Sequence, residues 1–129
     1  MNCPCGSEYD YIDCCLPLHT QKRQAKTAEQ LMRSRYSAFV MHELDYLKDT
    51  MTENFSKQKT KIWLKKIVWK KLTILAVEQG QMQDTAGCVK FKADYTENKE
   101  NKSMIEDSYF EKINDKWLYL GERNAKLLQ

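Results

Sequence analysis

At 129 residues the chain is long enough for one hydrophobic core plus a small appendage. Its 42% hydrophobic and 30% charged residues exclude a disordered tail, and no run approaches the roughly 20 apolar residues that a membrane span needs. A net charge of +3 is too mild to demand a nucleic-acid partner, but its distribution is uneven: three acids and no base lie between Met1 and Cys15, and seven lysines and no acid between Lys57 and Lys71.

The opening stretch MNCPCGSEYDYIDCC holds four of the five cysteines, Cys3, Cys5, Cys14 and Cys15. It has cysteines and acids where a secretory signal has a basic start and an apolar core, so a cytoplasmic, reducing setting and no membrane association are expected. There, crowded thiols and an odd total read as metal ligands rather than disulfides. Cys-x-Cys and Cys-Cys are two short ligand pairs that a loop can close into a tetrahedral thiolate site, with Zn2+ the expected ion and iron the alternative. Pro4 stiffens the first pair, Gly6 and Ser7 supply a turn, and the Tyr11 ring packs on the clip.

CPCGSEYDYIDCC resembles the SEC-C motif, a zinc-binding knuckle found at the tail of the SecA translocation ATPase and in many other bacterial proteins. Cys3, Pro4, Cys5, Gly6, Ser7, Tyr11, Cys14 and Cys15 fall on the pattern. Glu8 stands at its usual glycine, and Asp10 and Asp13 stand at its usual lysines. The motif's lysines serve docking on acidic protein surfaces, for which this version carries the opposite sign.

Residues Pro17 to Lys26, with His19 among them, read as a polar linker or docking segment, so residues 1–20 are assigned to the knuckle and 21–129 to the main domain. Thr27 is an N-cap with Gln30 at the capping-box position, and Ala28, Leu31, Met32, Arg35, Tyr36 and Phe39 form the apolar stripe of a helix. Arg35 stands in the middle of that stripe and must meet a buried acid, a polar cavity or solvent. A short helix is expected over Leu44–Met51, and a lysine-studded one over Ser56–Ile67 with His42 at the junction before them.

From Leu72 the period changes to two. Strands are expected over Leu72–Glu78, Gly87–Tyr95, Ser103–Ile113 and Lys116–Leu120, joined by short links that imply antiparallel neighbours: an α+β fold. Val89, Phe91, Ala93 and Tyr95 share one face of the second strand, with Cys88, Lys90, Lys92 and Asp94 on the other. If Phe110 points inward, so do Met104, Glu106 and Ser108, which makes Glu106 the expected partner of Arg35.

Helices followed by a curved four-stranded sheet resemble the nuclear-transport-factor-two-like cone. EQLMRSRYSAFV, Glu29 to Val40, resembles the signature of the bacterial YchJ family, which joins a SEC-C motif to such a domain. Tyr46, Leu47, Trp69, Leu72, Glu106, Ser108, Phe110 and Trp117 fall where that family has similar residues. Longer members carry a second cysteine motif at the C-terminus, where this chain reads NAKLLQ.

The resemblance implies no activity, and three functions compete. One is a zinc-stabilised adaptor for a protein partner, including the ribosome or secretion and chaperone machinery. The second is a small-molecule-binding protein or enzyme using Arg35, Glu106 and Ser108 in the cone pocket, with Tyr36 or Tyr95 beside them. The third is nucleic-acid binding by KQKTKIWLKKIVWKK, against which its tryptophans read as core anchors and its lysines as a solvated face. No Ser/His/Asp or Cys/His constellation stands out. A homodimer through the outer sheet face is the oligomer that such cones imply.

Overall fold

The computed structural model describes residues 1–123; the NAKLLQ segment lies outside them. Four helices, α1 (Leu16–His19), α2 (Ala28–Met41), α3 (Leu44–Asp49) and α4 (Lys57–Leu64), precede four strands, β1 (Ile67–Gln79), β2 (Ala86–Glu97), β3 (Glu100–Ile113) and β4 (Lys116–Glu122). The strands pair antiparallel in chain order. This is the expected α+β arrangement.

Turn chemistry sets the meander. Asn98 and Lys99 at φ 52° and 69° join β2 to β3, and Asn114 and Asp115 at φ 53° and 63° join β3 to β4. Two consecutive left-handed residues match the twist of tight hairpins, and asparagine tolerates that conformation best among non-glycine residues. The ENKEN stretch therefore turns on two residues, and Glu97 already pairs with Glu100.

Several boundaries differ from expectation, most of all around β1, and β3 begins at Glu100 rather than Ser103. The lysine-rich helix ends at Leu64 and β1 begins at Ile67 rather than Leu72. Ile67, Val68 and Trp69 are β-branched or aromatic and pair with Glu97, Thr96 and Tyr95, so the sheet wins over continued helix. The segment read as a linker also contains α1, whose Leu18 and His19 are buried.

The sheet's inner face wraps α2. Leu31, Met32, Tyr36 and Ala38 of the helix pack with Val89, Phe91 and Ala93 of β2 and Phe110 of β3, closed by Leu47, Leu72 and Trp117. Thr27 caps α2 as expected, its Oγ1 accepting from Gln30 N at 3.0 Å, while Gln30 Oε1 accepts from Lys26 N at 2.7 Å. The helix enters where two glycines remove all bulk. Ala28 N donates to Gly80 O at 2.9 Å, and a Cβ on Gly87 would stand 2.4 Å from Gly80 Cα.

β4 is the sheet's edge, but the chain after α3 covers it. Tyr119 N donates to Thr50 O at 2.8 Å and Thr52 N donates to Tyr119 O at 3.1 Å. This short parallel contact blunts an otherwise open edge and fixes Tyr119 next to α2.

Candidate metal centre and interior pocket

The N-terminal segment folds into a small hairpin, with Cys3 N donating to Tyr9 O at 2.8 Å and Tyr11 N to Met1 O at 3.0 Å. A 3-10 turn over Tyr11–Asp13 then delivers Cys14 and Cys15 opposite the first pair. The sulfurs of Cys3, Cys5, Cys14 and Cys15 all lie within 4.8 Å of one another, and the group can hold a metal ion. No two are bonded: Cys5 Sγ is 3.6 Å from Cys14 Sγ and Cys14 Sγ is 3.9 Å from Cys15 Sγ, far beyond the ~2.05 Å of a disulfide.

Crowding couples these thiols. A bond from Cys15 holds Cys5 down at about 4, the same bond pushes Cys15 up, and burial pushes Cys14 up to about 11. Crowding thus favours negative charge on Cys5 and disfavours it on Cys14 and Cys15. A cation converts such a set to thiolates by displacing the thiol protons. Ser7 supports the set, its Oγ 3.2 Å from Cys14 Sγ. Gly6 at φ 81° occupies a conformation that favours glycine, and so does Glu8 at φ 73°.

The clip is seated on α2 by polar contacts. Arg33 Nη1 donates to Cys5 O at 2.6 Å, and its Nε pairs with Glu29 at 2.9 Å. His19 bridges knuckle and helix. Its Nε2 donates to Ser34 O at 2.9 Å, which leaves Nδ1 to accept from Tyr11 Oη at 2.7 Å. Burial lowers its pKa and favours this neutral form. Ser34 and Ser37, both fully buried, complete the contact, with Ser37 Oγ 3.8 Å from Cys3 Sγ.

On the other side of α2 an interior pocket of about 140 Å³ opens between helix and sheet. Arg35, Glu106 and Ser108 all line it, but the expected contact between Arg35 and Glu106 is not made. Arg35 Nη1 donates instead to Leu47 O at 2.8 Å and Thr50 Oγ1 at 2.7 Å. Its guanidinium lies 4.8 Å from the centre of the Tyr119 ring. Glu106 Oε2 accepts from Ser108 Oγ at 2.6 Å and from Tyr119 Oη at 2.7 Å. Tyr119 stands between the two charges because Thr50 and Thr52 hold its backbone there. Burial lowers the Arg35 pKa only to about 10, so it stays charged at neutral pH. Burial, then the bond to Glu106, raises that of Tyr119, which stays a donor.

The remaining walls are apolar and aromatic. Trp69 packs on Tyr36 and Tyr95 at 5.6 Å and on Trp63 at 5.8 Å, and Phe39 closes the cluster against both tryptophans. Trp63 is 36% exposed. Both tryptophans are thus engaged with the domain, as expected of anchors, while Lys59, Lys61, Lys65 and Lys66 face solvent.

A family model described as YchJ, middle NTF2-like domain, matches residues 27–121. The chain belongs to the YchJ family. Among YchJ-like relatives, a UPF0225 protein of Geobacter sulfurreducens is 38% identical over 91% of this chain and 75% of its own length. One of Photorhabdus laumondii is 38% identical over 92% and 77%. A SEC-C motif containing protein of Rhodopseudomonas palustris, solved in solution, superposes with a TM-score of 0.83 at 31% identity, covering 93% of this chain and 95% of that one. A crystallised SEC-C motif containing protein of Psychrobacter arcticus gives 0.81 at 29% identity, over 93% and 80%. The YchJ-type fold and its NTF2-like middle are therefore established for this chain.

Sequence reasoning found the four cysteines and the three pocket residues but missed three others. His19 was assigned to a linker, although histidine just after a ligand pair and ahead of an apolar helix is a usable signal for a bridge. Tyr119, the residue between Arg35 and Glu106, lay in an expected strand without a role. Arg33 was not singled out. Cys88 sits apart in β2, where burial raises its pKa, and does not join the cluster.

Proposed function

We propose that this YchJ-family protein is a cytoplasmic interaction adaptor whose N-terminal knuckle is held by a structural zinc ion. Zinc–sulfur bonds of about 2.3 Å in a tetrahedron require sulfur–sulfur edges of about 3.8 Å. Two of the contacts, at 3.6 and 3.9 Å, lie close to that edge, and all four sulfurs stand within 4.8 Å of one another, which supports a compact tetrahedral thiolate site. Four thiolates fill the coordination sphere, so the ion holds shape rather than performing chemistry. Free thiols in this number require a reducing compartment.

The observation that carries the adaptor role is the knuckle's outer face. Tyr9 is 69% and Ile12 65% exposed, and exposed Glu8, Asp10 and Asp13 flank them in a stretch of chain that contains no base. Exposed aromatic and aliphatic side chains inside a charged rim have the make-up of a small recognition patch. Its acidic rim suits a basic protein surface and repels RNA phosphates. A ribosomal protein, or a basic component of secretion or chaperone machinery, meets that description. The partner is a protein rather than a nucleic acid.

Three forms of the full chain test this: wild type, Cys14→Ser/Cys15→Ser, and Tyr9→Ser/Ile12→Ser. Wild type is expected to bind about one equivalent of zinc and to cross-link to a defined basic protein in a salt-sensitive way. The serine-for-cysteine variant loses both properties. The Tyr9→Ser/Ile12→Ser variant keeps its zinc and loses the cross-link. Unchanged cross-linking by that last variant rejects the adaptor role, and a clearly substoichiometric metal content in reduced wild type rejects the zinc.

A further inference from the structure

Glu106 has one of its two carboxylate oxygens in use. Ser108 Oγ and Tyr119 Oη both donate to Oε2, at 2.6 and 2.7 Å, and no donor among the described residues reaches Oε1. Nor is Oε1 sealed: among the described residues, Trp69 Nε1 is the side-chain nitrogen or oxygen that is both without a partner and shut off from solvent. Glu106 is half-buried and lines the interior pocket. The pocket therefore combines ring-rich walls with an accessible, unpaired carboxylate oxygen.

We propose that the pocket binds a neutral, single-ring phenol, with the ring among the aromatic side chains and the hydroxyl donating to Glu106 Oε1.

The protein already makes this bond once. Tyr119 is itself a phenol, and its hydroxyl donates to Oε2 of the same carboxylate at 2.7 Å. Thr50 and Thr52 hold the Tyr119 backbone in place, so Oε2 stays occupied and Oε1 is the oxygen left for a ligand. Hydrogen bonds to an ionised acceptor are roughly twice as strong as those between neutral groups, which favours a hydroxyl here over a purely apolar substituent.

Size, shape and charge constrain the rest of the ligand. A volume of about 140 Å³ is close to the roughly 150 Å³ of an engineered apolar cavity in another protein that takes benzene. Phe39, Trp63, Trp69 and Phe91 line the space and favour a flat aromatic body over a branched aliphatic one. Arg35 and Glu106 line it too, so an anion meets the carboxylate and a cation meets the guanidinium. A phenol, which titrates like tyrosine near pH 10, is neutral at physiological pH and loses less solvation on entry than either ion.

The experiment uses the intact, metal-loaded protein labelled with carbon-13 at its methionine methyls. Met32 and Met104 line the pocket, and Met104→Leu assigns one of the signals. Phenol, toluene, benzoate and benzylammonium are titrated in parallel. Phenol and toluene have nearly the same shape and toluene is the more apolar, so a pocket that offers only burial prefers toluene. Phenol is expected to shift the Met104 signal saturably at millimolar concentration and to bind several-fold more tightly than toluene, with both ions weaker than phenol. Glu106→Met keeps an unbranched side chain and removes the acceptor. In that variant the ratio of phenol to toluene affinity is expected to fall about tenfold or more, the worth of one hydrogen bond to a charged group, so that the order reverses. Where Glu106→Met fails to fold, the ranking on wild type decides alone. The proposal is overturned by an unmoved Met104 signal at millimolar phenol, by toluene or either ion binding wild type as tightly as phenol, or by a phenol preference that survives Glu106→Met.

Discussion

Arg35 and Glu106 face the same pocket without touching, and the tyrosine between them fixes how strongly they should communicate. At 4 Å an ion pair in a medium of effective dielectric ~20 is worth about 4 kcal/mol, and doubling the separation halves that to about 2. Tyr119 intervenes with its ring centre 4.8 Å from the guanidinium and its hydroxyl 2.7 Å from Glu106 Oε2. A double-mutant cycle of Arg35→Met and Glu106→Gln should therefore give a coupling of about 1–2 kcal/mol, below the 3–5 expected for breaking a buried contact pair. Arg35→Met alone strips the donor from Leu47 O and Thr50 Oγ1 and should cost about 3 kcal/mol. That loss is survivable for a domain stable by 5–15 kcal/mol. Urea unfolding followed by far-ultraviolet circular dichroism measures each corner. A coupling above about 3 kcal/mol would mean a direct ion pair, and one below about 0.5 would mean that the charges ignore each other. Either result refutes the placement of Tyr119 between the two charges. Tyr119→Phe keeps the ring under Arg35 and removes only the donor to the carboxylate, for an expected loss of about 1.5–3 kcal/mol.

Glu8→Gly should stabilise the knuckle by about 0.5–1 kcal/mol, because φ of 73° strains a side chain that glycine lacks; urea midpoints of the metal-loaded protein measure it, and a loss of stability contradicts the assigned backbone. His19→Ala should cost about 3 kcal/mol by orphaning the Tyr11 hydroxyl and opening a cavity between knuckle and α2. Its thermal midpoint should fall by several degrees, whereas a surface residue in a linker would leave it unchanged. Gly87→Ala should cost at least 2–3 kcal/mol, since its Cβ would stand 2.4 Å from Gly80 Cα and neither backbone can yield. Normal expression and stability of that variant would show that α2 enters elsewhere.

How much of this was legible in the sequence depended on whether a feature was local. The capping box at Thr27 and Gln30, the alternation of Val89, Phe91 and Ala93, and the two hairpin turns are set by neighbours in the chain, and pattern finds them. The cysteine cluster was legible because its ligand spacing is itself local. Boundaries failed where propensities competed: Ile67, Val68 and Trp69 suit a strand as well as a helix end, and only pairing with Glu97, Thr96 and Tyr95 decides. The Arg35–Glu106 contact failed for a different reason. Electrostatics correctly required both groups to be satisfied, but the satisfying partners were a backbone carbonyl, Thr50, Ser108 and a tyrosine held by the segment after α3. None of these is visible from periodicity.

α2 explains why one helix looked imperfectly amphipathic. Arg33, Ser34 and Ser37 turn to the knuckle, and Met32, Arg35, Tyr36 and Phe39 to the pocket. At 100° per residue these sets fall on different sides of the wheel, so the helix is covered on both. The serines read as polar surface by composition, yet both are fully buried. Small hydroxyl side chains suit that position because they let the knuckle approach closely and still hydrogen-bond: Ser34 Oγ donates to Leu31 O at 2.9 Å and meets Tyr46 Oη at 2.7 Å. The knuckle is therefore not a tethered tail. It replaces solvent along one side of the helix whose other side forms the pocket wall, and α2 places knuckle and pocket within a single packed unit.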